Sequence, residues 1–247
     1  MATTKDCTKG NYRFLPGIPP FSSGAVAMPG YQVVHATLRH PVPWRKGFER
    51  IDAHLRAEGR PRQALCAIEL RIAEQLTPEG FDSFNTGYRA LLTDWEILLD
   101  GENPIARTNV APIVGAPSEP SLFGFAYTAV GDAGSPTFVV AGSGETRRDV
   151  GGIVRVGETS PDAMREKAQH VVGVMRDRLH GLGADWADVT AINVYTALPI
   201  EGYLAEVILK AVGPAAAHGV QWFLSRPPVK QLEFEMDMRG VARRLYL

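Results

Sequence analysis

The chain contains one pattern of residues twice, and this repeat limits the folds that it can adopt. In the range 55–72 the end of an amphipathic helix is followed by a glycine, a polar turn and an apolar run. The same order recurs in the range 179–196, where Ala191 aligns with Ala67. An offset close to half the chain indicates two homologous modules, whose contact surface can assemble one site from halves that have diverged.

Composition places the chain among ordinary globular proteins. Its 247 residues suffice for one large domain or two small ones, and the repeat favours two. Hydrophobic residues make up 45% and charged residues 21%, which argues against disorder and against a coiled coil. With 26 basic and 27 acidic side chains the net charge is −1, so we expect neither nucleic acid nor membrane as a partner, and a small ligand instead.

The N-terminal segment carries no recognisable targeting signal. Residues 1–10 are polar, and no later apolar run approaches the length that spans a bilayer. Cys7 and Cys66 form neither a CxxC pair nor a disulfide framework, which fits a reducing cytoplasm. Because Pro, Gly and Ser are dense after residue 10, we expect residues 1–30 to form an irregular arm.

Two α+β modules are predicted, over residues 31–130 and 131–247, each with two helices on one face of a mixed sheet. Residues 64–72 alternate apolar and polar side chains, which is the pattern of a half-buried strand. Period and composition predict further strands at 31–39, 105–111, 122–129, 137–142, 189–196, 220–224 and 232–241, and helices at 47–58, 81–92, 161–182 and 200–212.

Three short motifs stand out from these elements. Residues 103–110 read Asn-Pro-Ile-Ala-Arg-Thr-Asn-Val, residues 84–88 read Phe-Asn-Thr-Gly-Tyr, and Pro227 is followed six residues later by Glu233. They resemble, in turn, the Ala-Arg-Ser/Thr strand, the Asn-containing helix and the closing strand of the RidA (YjgF) family. The resemblance covers most of residues 31–242 and implies tandem modules of that family's chorismate-mutase-like α+β fold.

In family members that hydrolyse enamines or imines, the motif arginine binds a substrate carboxylate and a glutamate handles or orients the attacking water. The resemblance gives these roles to Arg107 and Glu233, with Asn85 and Thr108 near the substrate. The approximate counterpart of the arginine in the second half is His218, so each half keeps only part of the set. Either the site is composite across the module interface, or the halves have drifted into another chemistry.

Arg107 is suited to hold an acidic substrate, because a guanidinium stays charged and offers a planar pair of donors to a carboxylate. A structural salt bridge between the modules is the alternative for this residue. Asn85 would hydrogen-bond the substrate or stabilise a turn of its helix.

Glu233 and Glu235 fall on one face of a predicted strand, where two carboxyl groups share an environment and one can gain a raised pKa. Such a group suits enamine hydrolysis, which needs a proton at carbon, attack by water and loss of ammonia, and no cofactor. The alternative is that Glu233, Glu235 and Asp237 form the solvent-facing side of an edge strand.

Three further residues are candidates for the substrate site. His218 would bind a carboxylate or carry a proton, Trp222 would form a pocket wall, and Arg239 would hold a second carboxylate. For each of them an ordinary structural role is the alternative. The six histidines are scattered, with neither an HExxH motif nor a Cys/His pair, so no metal site is predicted.

Together these observations predict a cofactor-independent deaminase that hydrolyses a carboxylate-bearing enamine or imine and releases ammonia. An aminomuconate, a conjugated amino-dicarboxylate of aromatic degradation, is an attractive substrate because some relatives of the family act on such compounds. The resemblance also implies a homotrimer. A chorismatase-like hydrolase and a non-catalytic binding or interaction protein are the alternatives, since fold alone does not fix function.

Overall fold

Three short strands open the computed structural model, which describes residues 3–147 and 150–247. They are β1 (Lys5–Cys7), β2 (Tyr12–Leu15) and β3 (Gly24–Ala27). The expectation of an irregular arm is therefore wrong for these segments. The prolines that suggested it lie in the connections between strands, while β3 pairs antiparallel with a strand of the second module.

The first module alternates strands with two helices. Helix α1 buries one apolar stripe that contains Phe48, Ile51 and Leu55. Helix α2 begins where the side chain of Thr77 accepts a hydrogen bond from the backbone of Gly80. The elements are β4 (Tyr31–Pro43), α1 (Trp44–Ala57), β5 (Leu65–Arg71), α2 (Pro78–Asp94), β6 (Ala106–Pro112) and β7 (Ser121–Val130).

The second module has the same sequence of elements, although its second helix is irregular. That helix passes from α4 (Glu201–Tyr203) through a π-helical stretch (Leu204–Leu209) into α5 (Lys210–Val212). A last strand, β12 (Arg243–Tyr246), returns to pair in parallel with β4. The other elements are β8 (Phe138–Gly144), α3 (Pro161–Gly181), β9 (Ala191–Thr196), β10 (Gln221–Arg226) and β11 (Glu235–Gly240).

The two modules share one strand order. The first runs β4-β7-β5-β6 and the second β8-β11-β9-β10, so that in both the fourth strand lies between the first and the second. In both, the second and third strands are parallel and the other neighbours are antiparallel. The α+β class and the two tandem modules predicted from the sequence are confirmed.

Both faces of β5 are buried, so the prediction of a half-buried strand is wrong. Ile68 and Leu70 pack in the core beneath the helices of the first module. Ala67 belongs to a separate cluster that also contains Val139 and Ala141 of β8. The inner face of one sheet thus packs against the other, which buries polar side chains such as Glu69 that a surface strand would expose to water.

The sheets join along β6. At one end β6 pairs antiparallel with β10, and at the other the backbone nitrogen of Gly142 in β8 donates to Oγ1 of Thr108 over 3.1 Å. This arrangement brings the middle of β6 beside the ends of β8 and β11. In the part of the chain that the structure describes, no helix has the length and apolar character needed to cross a membrane.

Candidate active site

A cavity of about 250 Å³ lies where β6 of the first module meets β8 and β11 of the second. Its walls are mainly apolar, and they include Phe21 from the N-terminal segment, Phe81 from α2, and Val229 and Leu232 from the approach to β11. A few polar side chains converge among them, as is usual in small-molecule sites. These polar side chains are Arg107, Asn109, Ser143, Thr146 and Glu235.

Arg107 is buried, and its guanidinium is held by aromatic rings and one hydrogen bond. Nη2 donates to Oδ1 of Asn85 over 2.8 Å, which fixes the plane of the group. Burial lowers the pKa of Arg107 to about 10, so the group keeps its charge near neutral pH. The ring centres around its guanidinium carbon are those of Phe21 at 4.9 Å, Tyr88 at 4.9 Å, Phe81 at 5.5 Å and Phe84 at 5.6 Å.

The other terminal nitrogen of Arg107, Nη1, is buried and has no hydrogen-bond partner among the described residues. A buried cationic donor without a partner is costly, and here the unpaired donor belongs to a side chain that lines a cavity. The planar group therefore offers a free donor, next to one already oriented by Asn85, to an anion in the cavity.

Glu235 reaches the cavity from the opposite module. It starts β11, which lies between β8 and β9 and is therefore no edge strand. Burial, with repulsion from Asp237 as the next cause, raises the pKa of Glu235 well above its usual range, although Arg178 and Arg107 oppose the shift. Gly142 makes room for this side chain, because a Cβ there would collide with Oε1 of Glu235.

A fully buried ion pair fixes the chain that leads into β11. Lys167 of α3 donates from Nζ to Oε1 of Glu145 over 3.0 Å, and both side chains are completely shielded from solvent. The same carboxylate accepts the backbone N–H groups of Glu233 at 2.7 Å and Phe234 at 3.2 Å. Glu145 thus positions the backbone immediately before Glu235.

Three of the residues predicted for the site lie together at or beside the cavity, namely Arg107, Asn85 and Glu235. Thr108 points to the other face of β6, where it accepts the hydrogen bond from Gly142. The strand pairing also corrects the expected counterpart of Arg107. Ile68 pairs with Arg107 in the first module, and the repeat aligns Ile68 with Ile192. Because Asn193 pairs with Gln221, the position opposite Ile192 is Val220, so the equivalent of Arg107 is Val220 and not His218.

The structure places the other four predicted residues away from the cavity. Glu233 precedes β11 and binds Arg226 in an ion pair, so the same-face argument for Glu233 and Glu235 was wrong. His218 is exposed at the end of a 3₁₀ helix. Trp222 is 39% exposed and donates to the backbone oxygen of Thr196 over 3.0 Å.

Arg239, the fourth of them, belongs to a buried polar network between the sheets. Its Nη1 lies 3.1 Å from Oε1 of Glu69, which also contacts Nε2 of His35 at 2.6 Å. Asp237 joins this network from β11 and accepts hydrogen bonds from Tyr195 OH at 2.8 Å and Asn193 Nδ2 at 2.9 Å. These polar groups pair with one another inside the molecule, which helps the inner sheet faces to tolerate charge, although Nε of Arg239 and Oδ1 of Asn193 have no partner among the described residues.

Sequence reasoning missed Asn109, Ser143 and Gly142 as parts of the site. Asn109 lay within the quoted motif and two residues after Arg107, a spacing that puts both side chains on one face of a strand. Gly142 and Ser143 had the form of a simple glycine-rich bend, and no local pattern shows that a carboxyl from another strand needs the space.

The arrangement combines a cation with a carboxyl whose pKa burial raises well above its usual range. The cation can anchor a carboxylate, and a carboxyl with a raised pKa can deliver a proton and then act as a base toward water. Among the described residues, no group of three or more His, Cys, Asp or Glu side chains is arranged to hold a metal ion.

The sequence matches one family model over nearly the whole of its length. The family model described as 2-aminomuconate deaminase CnbZ matches residues 4–245. The chain is 40% identical over 247 residues to 2-amino-5-chloromuconate deaminase of Comamonas testosteroni, and the match covers 96% of each chain. These two matches confirm the resemblance that the sequence motifs indicated.

Solved structures similar to this chain include a chorismatase and the YjgF gene product of E. coli. A chorismatase aligns with 89% of this chain and 77% of its own, at a TM-score of 0.49 and 13% identity. The YjgF gene product of E. coli aligns with 46% of this chain and 85% of its own, at a TM-score of 0.31 and 16% identity.

Proposed function

Because the chain belongs to the family of 2-aminomuconate deaminases, we propose that it hydrolyses a 2-aminomuconate to the corresponding 2-oxo dicarboxylate and ammonia, without a cofactor. The observation that carries the proposal is that one cavity contains both Arg107, whose Nη1 is buried without a partner among the described residues, and the carboxyl of Glu235, whose pKa burial raises well above its usual range. A cavity of about 250 Å³ suits a substrate smaller than the drug-sized ligands that occupy roughly 300–1,000 Å³.

Arg107 would bind the carboxylate next to the carbon that bears nitrogen. Two donors of one guanidinium hold a carboxylate in a fixed plane, and the low polarity of the aromatic surroundings strengthens that contact. The apolar walls would then contact the conjugated carbon chain. Substrate recognition in this scheme depends on one charge pair and on shape.

Glu235 would transfer the protons. Its carboxyl donates a proton to a carbon of the enamine chain, which converts the enamine into an iminium ion. The resulting carboxylate accepts a proton from the water that attacks the carbon bearing nitrogen. The carbinolamine then loses ammonia and leaves the oxo acid. One substrate and one water yield one oxo acid and one ammonia, so the cycle needs no redox partner.

The experiment uses the purified full chain with 2-aminomuconate generated in situ, and follows ultraviolet absorbance and ammonia. We expect ammonia to form in proportion to the substrate consumed, at a rate that a chelator and extensive dialysis leave unchanged. Chorismate serves as the second substrate, because a chorismatase-like hydrolase was the alternative. Turnover of chorismate without release of ammonia from 2-aminomuconate would overturn the proposal.

A cytoplasmic location and assembly as a homotrimer stay predictions. Cys7 and Cys66 are both buried and free, which supports a reducing compartment. Size-exclusion chromatography with light scattering measures the assembly, and a mass three times that of the 26.9 kDa chain is expected.

A further inference from the structure

Asn109 is a second buried polar side chain in the cavity whose hydrogen-bonding groups are unused. It is 4% exposed, and neither Oδ1 nor Nδ2 has a hydrogen-bond partner among the described residues. An amide that packs for structural reasons normally has partners for both atoms, since burying them unpaired is unfavourable. An unpaired amide in a cavity wall therefore points to a polar group on the ligand.

Asn109 and Arg107 lie on the same face of β6, with Thr108 between them on the other face. Residues two apart in a strand are separated by roughly 6.6–6.8 Å along it, so both side chains can reach one small molecule. Thr108 holds the strand in place through its hydrogen bond with Gly142. The two unpaired groups thus have a fixed spacing that suits adjacent functional groups of one substrate.

We propose, on the basis of the proposed function, that Asn109 is the specificity-determining residue that recognises the nitrogen of the substrate. Its Oδ1 would accept a hydrogen bond from the N–H group of the substrate. The nitrogen is bonded to the carbon next to the carboxylate that Arg107 would hold, so it lies beside that anchor. A neutral amide accepts an N–H without forming an ion pair with Arg107, whereas a carboxylate there would occupy the guanidinium. The contact strengthens when the nitrogen becomes cationic in the iminium ion.

The test compares Asn109→Leu with the wild-type full chain on two ligands. The first is 2-aminomuconate, which is turned over, and the second is muconate, the same diacid without nitrogen, used as a competitive inhibitor. We expect Asn109→Leu to lower kcat/KM at least tenfold while the inhibition constant of muconate changes less than threefold. We also expect an unchanged or higher Tm, because the variant removes an unpaired buried amide.

Arg107→Lys is the reference variant, and it should weaken the binding of both ligands. If Asn109→Leu leaves kcat/KM within threefold of wild type, the proposal that Asn109 recognises the nitrogen is wrong. It is also wrong if the variant changes kcat/KM for the substrate and the inhibition constant of muconate by the same factor. A Tm lowered by several degrees would also overturn it, since the amide would then have a structural partner. If the wild-type chain does not deaminate 2-aminomuconate, the proposed function is wrong, and so is the inference that depends on it.

Discussion

Arg107 and Glu235 line one cavity although they come from different modules. Arg107 lies on the third strand of the first module and Glu235 on the fourth strand of the second. Their charges affect each other, because Glu235 raises the pKa of Arg107 and Arg107 lowers that of Glu235. Neither module contains the pair by itself, so the chemistry depends on how the two sheets pack.

Replacing Arg107 by Lys should lower kcat/KM about 100-fold, or ~2.7 kcal/mol of transition-state stabilisation. Lysine keeps the charge but loses the planar pair of donors and the contact with Asn85. Steady-state kinetics on 2-aminomuconate measure the effect. Arg176→Lys, at an exposed arginine that pairs with the adjacent Asp177, is the matched control and should change little. A rate for Arg107→Lys within threefold of wild type would contradict the anchoring role.

Glu235→Gln should lower kcat by roughly 10²–10⁴-fold, because the amide cannot give up and take back a proton. Glu233→Gln is the control, since its side chain lies outside the cavity and pairs with Arg226. That partly exposed pair contributes at most about 1 kcal/mol to stability, so activity should stay within threefold. Equal losses in the two variants would mean that the assignment to Glu235 is wrong.

Asp237→Asn should move the alkaline limb of the kcat/KM profile to lower pH. In the proposed mechanism the protonated form of Glu235 is the acid, so activity should be lost as pH rises through its pKa. Besides burial, Asp237 and Glu145 raise that pKa, whereas Arg178 and Arg107 lower it. Removing the charge of Asp237 therefore lets Glu235 ionise at a lower pH. An unmoved alkaline limb in Asp237→Asn would exclude this electrostatic coupling.

The same raised pKa affects stability with a defined sign. The folded chain retains a proton that the unfolded chain loses near pH 4.3, so Glu235 costs stability as pH rises from there toward its folded pKa. Thermal unfolding of Glu235→Gln across this window should show the variant gaining stability relative to the wild type. A difference in Tm that is independent of pH would contradict the shift.

Gly142→Ala should reduce activity and lower stability by about 1–3 kcal/mol, because the added methyl group takes the space of the Glu235 carboxyl. Gly173→Ala in helix α3 is the control. Apart from the local helix backbone, no heavy atom of the described residues lies within 4 Å of the position that its Cβ would occupy, and alanine favours the helix by about 0.5–1 kcal/mol. Chemical denaturation and kinetics on both variants separate local crowding from a general effect of the substitution.

Lys167→Met should destabilise the fold by about 3–5 kcal/mol, since it leaves the carboxylate of Glu145 buried without its cation. Lys210→Met is the control, at an exposed pair with Glu206 that contributes about 0.3–0.5 kcal/mol at most. Urea denaturation measures both. Loss of less than about 1 kcal/mol in Lys167→Met would contradict the stabilising role of this ion pair.

Local sequence patterns predicted the repeated elements well. The apolar stripe of Phe48, Ile51 and Leu55 gave α1, and Pro161 with the following apolar positions gave α3, because helical period and N-terminal prolines act within one segment. The N-terminal strands were missed, because each is short and the strand that anchors them, β3, pairs with residues far along the chain. The prolines in the connections between these strands favoured the prediction of an irregular segment.

The sequence by itself determined the two-module plan and singled out Arg107, because repeats and motifs are properties of neighbouring residues. Tertiary structure alone decided that Glu235 and not Glu233 reaches the cavity, and that Asn109 faces it unpaired. Alternation along a strand shows which residues share a face, but what covers that face depends on the partner sheet. The long-range packing of β6 against β8 and β11 therefore determines which polar groups are buried together.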